Sequence, residues 1–225
     1  MDSIFSGILR NDPAKVRELL KANPELAVRL SDEARLYQTK IFHWIYVGDT
    51  ALHLAAAGHR GEIARLLLAA GADPNAAANH RRSTPLHYAA DGYLNNPDWD
   101  AKKQVETIRC LLAAGARINV QDKNGATPLH RAVRTRCAAA VRFLLRHGSD
   151  PKLENITGST PFHLAVQNTG RGGSGAEAAK AAQREIIEEF LAFGVNAKLK
   201  DGRGKSVWDW ARSEWIREML LGSSQ

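Results

Sequence analysis

Four of the eight histidines close a recurring tetrapeptide: Thr50-Ala51-Leu52-His53, Thr84-Pro85-Leu86-His87, Thr127-Pro128-Leu129-His130 and Thr160-Pro161-Phe162-His163. Histidine could serve there as a general base or metal ligand. Helices in stacked units lie about 8–10 Å apart, however, and Zn–N bonds are about 2.0 Å, so neighbouring copies cannot share a zinc ion. Cys137 beside a histidine would make a nucleophilic pair, but the sequence offers no orienting third group and no oxyanion loop. Gly170, Gly172 and Gly175 match G-x-G-x-x-G, yet a dinucleotide site needs a strand before the glycines and here a helix precedes them. Two lesser readings of that loop stay open: an anion held by backbone N–H groups, or a flexible connection. HExxH, GxSxG and P-loop patterns do not occur. The residues argue for no enzyme, no cofactor and no metal.

Charge is more informative. The chain carries 31 basic and 24 acidic residues, a formal net charge of +7. Residues 116–152 hold eight basic residues (Arg117, Lys123, Arg131, Arg134, Arg136, Arg142, Arg146 and Lys152) against Asp122 and Asp150. Most of the net charge thus falls in one stretch. Arg131, Arg134 and Arg136 crowd a single short helix and its following turn, with no carboxylate nearby in sequence.

The elements that position these groups are legible in Asp122–Pro151. Asp122-Lys123-Asn124-Gly125 is a tight-turn signal, because Asn and Gly tolerate positive φ. Thr127-Pro128 starts a helix with a hydroxyl cap and a proline whose missing N–H costs nothing there. Val141, Phe143, Leu144 and Leu145 mark a second helix, which Gly148 stops. Neither helix can bury its apolar face alone, so the unit implies neighbours. Gly71, Gly115, Gly148 and Gly194 end the copies, and Ser206-Val207-Trp208-Asp209 begins a degenerate fifth. The undisturbed period is 33 residues.

This pattern resembles the ankyrin repeat in its T-P-L-H start, its paired helices and its length, over about residues 2–221. The resemblance implies an all-α ankyrin-repeat solenoid of stacked helix-turn-helix units with hairpin fingers, capped at both ends. It also implies that the four histidines tie adjacent hairpins together by hydrogen bonds. We expect a single domain over 1–225: an N-terminal cap pair at 2–26, an inserted finger at 27–48, repeats at about 46–78, 79–121, 122–154 and 155–200, and a C-terminal cap at 201–221. Within the first pair, helices are expected at 3–10 and 13–22. IFHWIYVG (Ile41–Gly48) is aromatic and β-branched and reads as an extended hairpin. Its Phe42, Trp44 and Tyr46 either cover the edge of the first repeat, the preferred reading, or form a site. Arg82 replaces the usual turn glycine of the second finger. Tyr93–Gln104 reads as an inserted loop, while Asn168–Gln183 is glycine-rich first and then helix-forming, which should lengthen the second helix of the fourth repeat backwards. Trp208, Trp210 and Trp215 with Ile216, Met219 and Leu220 should close the core, and Asp209, Arg212, Glu214 and Arg217 should face water.

Two insertions flanking an uninserted third repeat would raise walls around the turn Arg134-Thr135-Arg136-Cys137. Tyr93 and Trp99 would stand on one side, Asn168 and Arg171 on the other, a concave place for a carboxylate or phosphate. Arg81, Arg82, Lys123 and Arg131 extend the basic set. The leading expectation, because the resembled family serves protein recognition, is a non-catalytic scaffold that grips an acidic segment of a partner protein on the third repeat. A sensor of a small anion in the notch is the alternative. Nucleic-acid binding is favoured by the pI near 9.6 but disfavoured because the basic residues are not interleaved with stacking aromatics. The chain has neither a run of 18 apolar residues nor a signal-peptide pattern. With two cysteines and no CxxC, it is expected to be a cytoplasmic monomer with reduced thiols.

Overall fold

The computed structural model describes residues 3–37, 41, 43–92, 99–167 and 177–222. Helices come in pairs: α1 (Ser3–Arg10) with α2 (Pro13–Ala22), α3 (Ala51–Ala57) with α4 (Gly61–Ala69), α5 (Pro85–Ala90) with α6 (Ala101–Ala113) and α7 (Pro128–Arg134) with α8 (Ala138–Arg146). Two further pairs follow, α9 (Pro161–Ala165) with α10 (Glu177–Ala192) and α11 (Val207–Trp210) with α12 (Glu214–Gly222). First helices stack on first helices from α1 to α11, and second helices on second helices from α2 to α12. The result is a two-layer stack whose core lies between the layers. Leu52, Leu86, Leu129 and Phe162 fill it from the first helices; Leu67, Leu111, Leu144 and Phe190 fill it from the second, all fully buried.

The recurring threonine is the N-cap of α3, α5, α7 and α9, with extended backbone and, in the last three, proline in the first turn at Pro85, Pro128 and Pro161. The histidine three residues on completes the cap. Nδ1 of His53, His87 and His130 accepts the backbone N–H of Thr50, Thr84 and Thr127 at 3.0, 3.1 and 3.1 Å. An accepting Nδ1 puts the proton on Nε2, and each Nε2 faces a carbonyl of the next unit: Ser83 at 3.1 Å, Ala126 at 2.9 Å and Ser159 at 3.0 Å. His163 reaches Lys205 O at 3.1 Å in the same way. These histidines are buried neutral ties between units, as the sequence resemblance implied. Burial pushes His87 and His130 down to about 4, and lowers His53 and His163 as well.

The finger turns are built by Asx side chains. Asp122 Oδ1 accepts the N–H groups of Asn124 and Ala126 at 2.8 and 3.0 Å, and Asn79 Oδ1 accepts those of Arg81 and Ser83, both at 3.1 Å. Neighbouring fingers are then laced by backbone bonds: Lys123 N to Arg81 O at 2.7 Å, Ile156 N to Asn124 O at 3.0 Å and Gly202 N to Gly158 O at 2.9 Å.

The inserted segment before α3 forms a two-stranded hairpin, β1 (Arg35–Tyr37) antiparallel to β2 (His43–Ile45), with Leu36 opposite Trp44. A bridge between Leu30 and Thr50 extends it. Ile41, His43 and Ile45 point inward and are buried, whereas Trp44 between them is 47% exposed. The extended-hairpin expectation therefore holds. Trp44 departs from the edge-covering role because strand alternation turns it outward.

Other expectations need adjustment. The second unit's insertion is not loop to its end: Asp100 caps α6 through the N–H groups of Lys102 and Lys103, so Ala101–Gln104 are helical. The helix formers before Gln183 do lengthen α10, to 16 residues. Arg217 does not simply face water, since its Nε donates to Ala211 O at 2.7 Å. Cys110 is half-buried and Cys137 buried, and both are free thiols.

Candidate functional site

Arg131 and Arg134 lie three residues apart on α7, yet their surroundings are opposite. Arg131 is 3% exposed and bonded through both terminal nitrogens. Its Nη1 donates to Asp91 Oδ2 at 2.8 Å, and its Nη2 donates to Asp122 Oδ2 at 2.9 Å and Ser83 Oγ at 2.7 Å. Asp91 ends α5, Asp122 begins the third finger and Ser83 ends the second, so one guanidinium knits three elements. His43 Nε2 adds the inserted hairpin at 3.2 Å from Asp91 Oδ2, while its Nδ1 faces Trp44 O at 2.7 Å. Burial alone would raise the Asp91 carboxyl; the adjacent Arg131, with His43 and Arg134, holds it far below the usual range. Burial would likewise lower Arg131, and the two carboxylates raise it instead. Arg131 is therefore no recognition group. The expectation that the third unit's arginines lack acidic compensation fails for it, because Asp91 arrives from 40 residues away and Asp122 from nine.

Arg134 is exposed and only approaches Asp91, at 3.8 Å. Arg136 is half-buried, has no carboxylate partner among the described residues, and sits at φ +61° in the left-handed region. That region costs a non-glycine residue about 1–2 kcal/mol. Desolvation lowers the Arg136 guanidinium. The turn that carries both arginines is pinned to the preceding unit. Gly92 N donates to Thr135 Oγ1 at 3.0 Å, and a Cβ on Gly92 would lie 1.9 Å from Cys137 Sγ. Only glycine permits that approach. Trp99 is half-buried beside it, its Nε1 enclosed without an acceptor among the described residues. Tyr93, Asn168, Arg171 and the glycines 170–175, the remaining expected walls, lie outside the described residues.

Arg81, Arg82 and Lys123 sit at the other end of the first helices, on the fingertips. Arg82 occupies the turn position that is Gly125 and Gly158 in the next two fingers, and it takes the same left-handed conformation at φ +53°. Arg81 Nη1 donates to Tyr46 Oη at 3.0 Å, with its guanidinium 5.3 Å from that ring. Arg82 and Lys123 are exposed and without ion-pair partners among the described residues. The expected site residues thus divide into a turn group (Arg134, Arg136, Trp99), a fingertip group (Arg81, Arg82, Lys123) and one internal tie (Arg131). Sequence reading missed Asp91, His43 and Tyr46 as their partners; no local pattern marks such pairs, which span tens of residues.

Among the described residues no cluster of His, Cys, Asp and Glu could hold a metal ion, and no helix is long and apolar enough to cross a membrane. The sequence matches family models for ankyrin repeats over residues 8–97 (three copies), 81–123 (a single repeat) and 111–165 (many copies). It is similar to alpha-latrotoxin-Lhe1a of Latrodectus hesperus, 36% identical over 88 residues, which is 39% of this chain and 6% of that protein. It is also similar to human Rabankyrin-5, at 33% over 99 residues (39% and 8%). E3 ubiquitin-protein ligase KEG of Arabidopsis thaliana matches at 39% over 72 residues (32% and 4%). The chain spans under a tenth of the length of these relatives. Capped helix pairs, histidine ties between units and laced Asx fingers, together with these matches, place the chain in the ankyrin-repeat family.

Proposed function

We propose that this protein is a non-catalytic, cytoplasmic and monomeric adaptor that binds an acidic segment of a partner protein through the third repeat and its neighbours. Ankyrin repeats form protein-interaction modules, which supports a protein partner. The observation that carries the acidic reading is Arg136. It accepts a left-handed backbone and partial desolvation and gains no carboxylate from the described residues in return. The left-handed turn itself recurs at Asn11 and His59, before α2 and α4, so it is the half-buried charge without a carboxylate, rather than the backbone, that sets Arg136 apart. Arg131 shows the contrast, since a structural arginine here meets two carboxylates. The half-buried position of Arg136 also suits a small anion such as phosphate, the second reading.

The Arg134→Ala/Arg136→Ala double variant tests both. Affinity for a partner recovered by pull-down and identified by mass spectrometry should fall by about 1.5–3 kcal/mol per lost charged hydrogen bond, and wild-type binding should weaken with added salt. Folding should be unchanged or slightly improved. A variant that binds that partner normally at low and high salt would end the reading. Saturable binding of millimolar phosphate that the double variant loses, with no protein partner recovered, would transfer it to the small-anion alternative.

A further inference from the structure

Seven large hydrophobic side chains stand exposed among the described residues, and four of them (Val28, Leu30, Trp44 and Val47) belong to the inserted segment 27–48. That segment has already buried what it needs for docking. Ile41 lies against the turn after α3, where a Cβ on Gly58 would come 2.5 Å from its Cδ1, and His43 packs its ring 4.3 Å from that of Tyr88. With Ile41, His43 and Ile45 inward, Trp44 and Val47 contribute little to holding the hairpin down. Trp44 lies alongside Tyr46, ring centroids 6.3 Å apart and planes 21° from parallel. Tyr46 is fixed by the edge of His80 at 4.8 Å and by Arg81 on its ring and hydroxyl. Arg82 follows Arg81, and the Lys123 N–H bonds Arg81 O. An apolar strip on the hairpin therefore runs without a break into a row of basic fingertips. Parts of it far apart in sequence meet only in the fold.

We propose that this strip is a docking surface for an extended acidic peptide segment that carries bulky apolar side chains. Trp44, Tyr46 and Val47 would cover the apolar residues, and Arg82 and Lys123 would meet the carboxylates. The proposal rests on the reading of an acidic protein partner and moves the point of capture from the turn of the third repeat to the fingertips and inserted hairpin. Charge complementarity selects the occupant. A second copy of this chain would set Arg82 and Lys123 against themselves across a two-fold contact. Single-stranded nucleic acid needs free ring faces, but Tyr46 already carries a guanidinium on its ring. Arg82 keeps a left-handed turn where the next two fingers have glycine, a backbone cost that its exposed charge otherwise does nothing to offset.

The test uses the full chain and three fluorescein-labelled probes read by anisotropy at 50 and 500 mM salt: acetyl-(Glu-Leu-Glu-Trp)3-amide, its lysine counterpart with every Glu replaced, and a twelve-residue oligo-dT. The acidic peptide should bind, more weakly at high salt, and the other two should not. Trp44→Ala should lower its affinity about tenfold or more, as removal of an aromatic anchor does, and Arg82→Gly/Lys123→Ala should lower it and flatten the salt dependence. Val47→Glu, at an exposed position, gives the same loss should Trp44→Ala impair folding. If these variants bind like wild type while Arg134→Ala/Arg136→Ala loses the peptide, the fingertip surface is refuted and the acidic-partner reading stands. If wild type binds none of the peptides, both fall. Oligo-dT binding that Trp44→Ala abolishes would overturn the peptide assignment in favour of nucleic acid.

Discussion

Arg131 and Arg134, three positions apart, give the sharpest residue-level contrast in the chain. Removing one partner of a buried ion network strands the others, at a cost of about 3–5 kcal/mol. Arg131→Ala leaves Asp91 and Asp122 buried without their cation, so urea unfolding should show a loss in that range. Arg134→Ala removes an exposed, solvent-screened contact and should stay within about 0.5 kcal/mol of wild type. Equal losses for the two variants would mean that the network is not what holds the repeats in register. The buried histidines make a second prediction. Burial pushes His87 and His130 down to about 4, and so too His59, in the turn after α3, whose Nε2 lies 3.1 Å from Asp91 O, whereas the unfolded chain titrates them near 6.5. The unfolded state therefore takes up protons first as the medium is acidified. Stability is complete above about pH 6.5 and drains as pH falls toward 4, by up to about 1.4 kcal/mol per pH unit for each ring. The depressed Asp91 carboxyl acts in the same direction in a lower window, stabilising above its unfolded value near 4 and failing below it. Thermal melts between pH 8 and 4 should thus show a steep decline beginning near 6.5; a flat profile down to pH 5 would contradict the buried-tie geometry.

Between elements, the turns of the second and third repeats interlock through one missing methyl group. Gly92→Ala would place its Cβ 1.9 Å from Cys137 Sγ, and such overpacking costs about 1–3 kcal/mol. Replacing Cys137 by Ala removes the sulfur and leaves Trp99 Nε1 at 3.3 Å and the residue's own Cβ at 3.5 Å as the nearest atoms. The Gly92→Ala/Cys137→Ala double variant should therefore be more stable than the sum of the single effects allows, a coupling that a double-mutant cycle in urea measures directly. Additivity within about 0.3 kcal/mol would show that the turn gives way elsewhere. A finger responds differently. Arg82→Gly relieves a left-handed arginine, and should raise stability by up to about 1 kcal/mol. The gain is expected even where binding is lost, because the strain and the proposed recognition reside in the same residue.

At the scale of the molecule, six helix pairs among the described residues stack in one direction, each packed on its neighbours. Small-angle scattering should report an elongated particle with the mass of one chain, and a spherical or dimeric profile would contradict the proposed monomeric stack. This architecture was legible because every unit repeats its own local instructions. Thr-Pro starts, Asx turns and closing glycines act within a few residues, and a 33-residue period repeats them in phase. The helices of the first pair, the extended hairpin and the lengthened α10 were readable for the same reason, since propensity and strand alternation are local. The site was not legible in that way. Sequence placed Arg131, Arg134 and Arg136 in one basic cluster, and local spacing had no means of bringing Asp91 from 40 residues away to neutralise one of them. Nor could it seat Arg81 on Tyr46, 35 residues upstream, or align an exposed Trp44 with the basic fingertips. Amino-acid order decided which short segments would form and how often. Stacking alone decided which charges would be silenced in the interior and which left at the surface, because burial and pairing depend on what the fold brings close rather than on what the chain writes side by side.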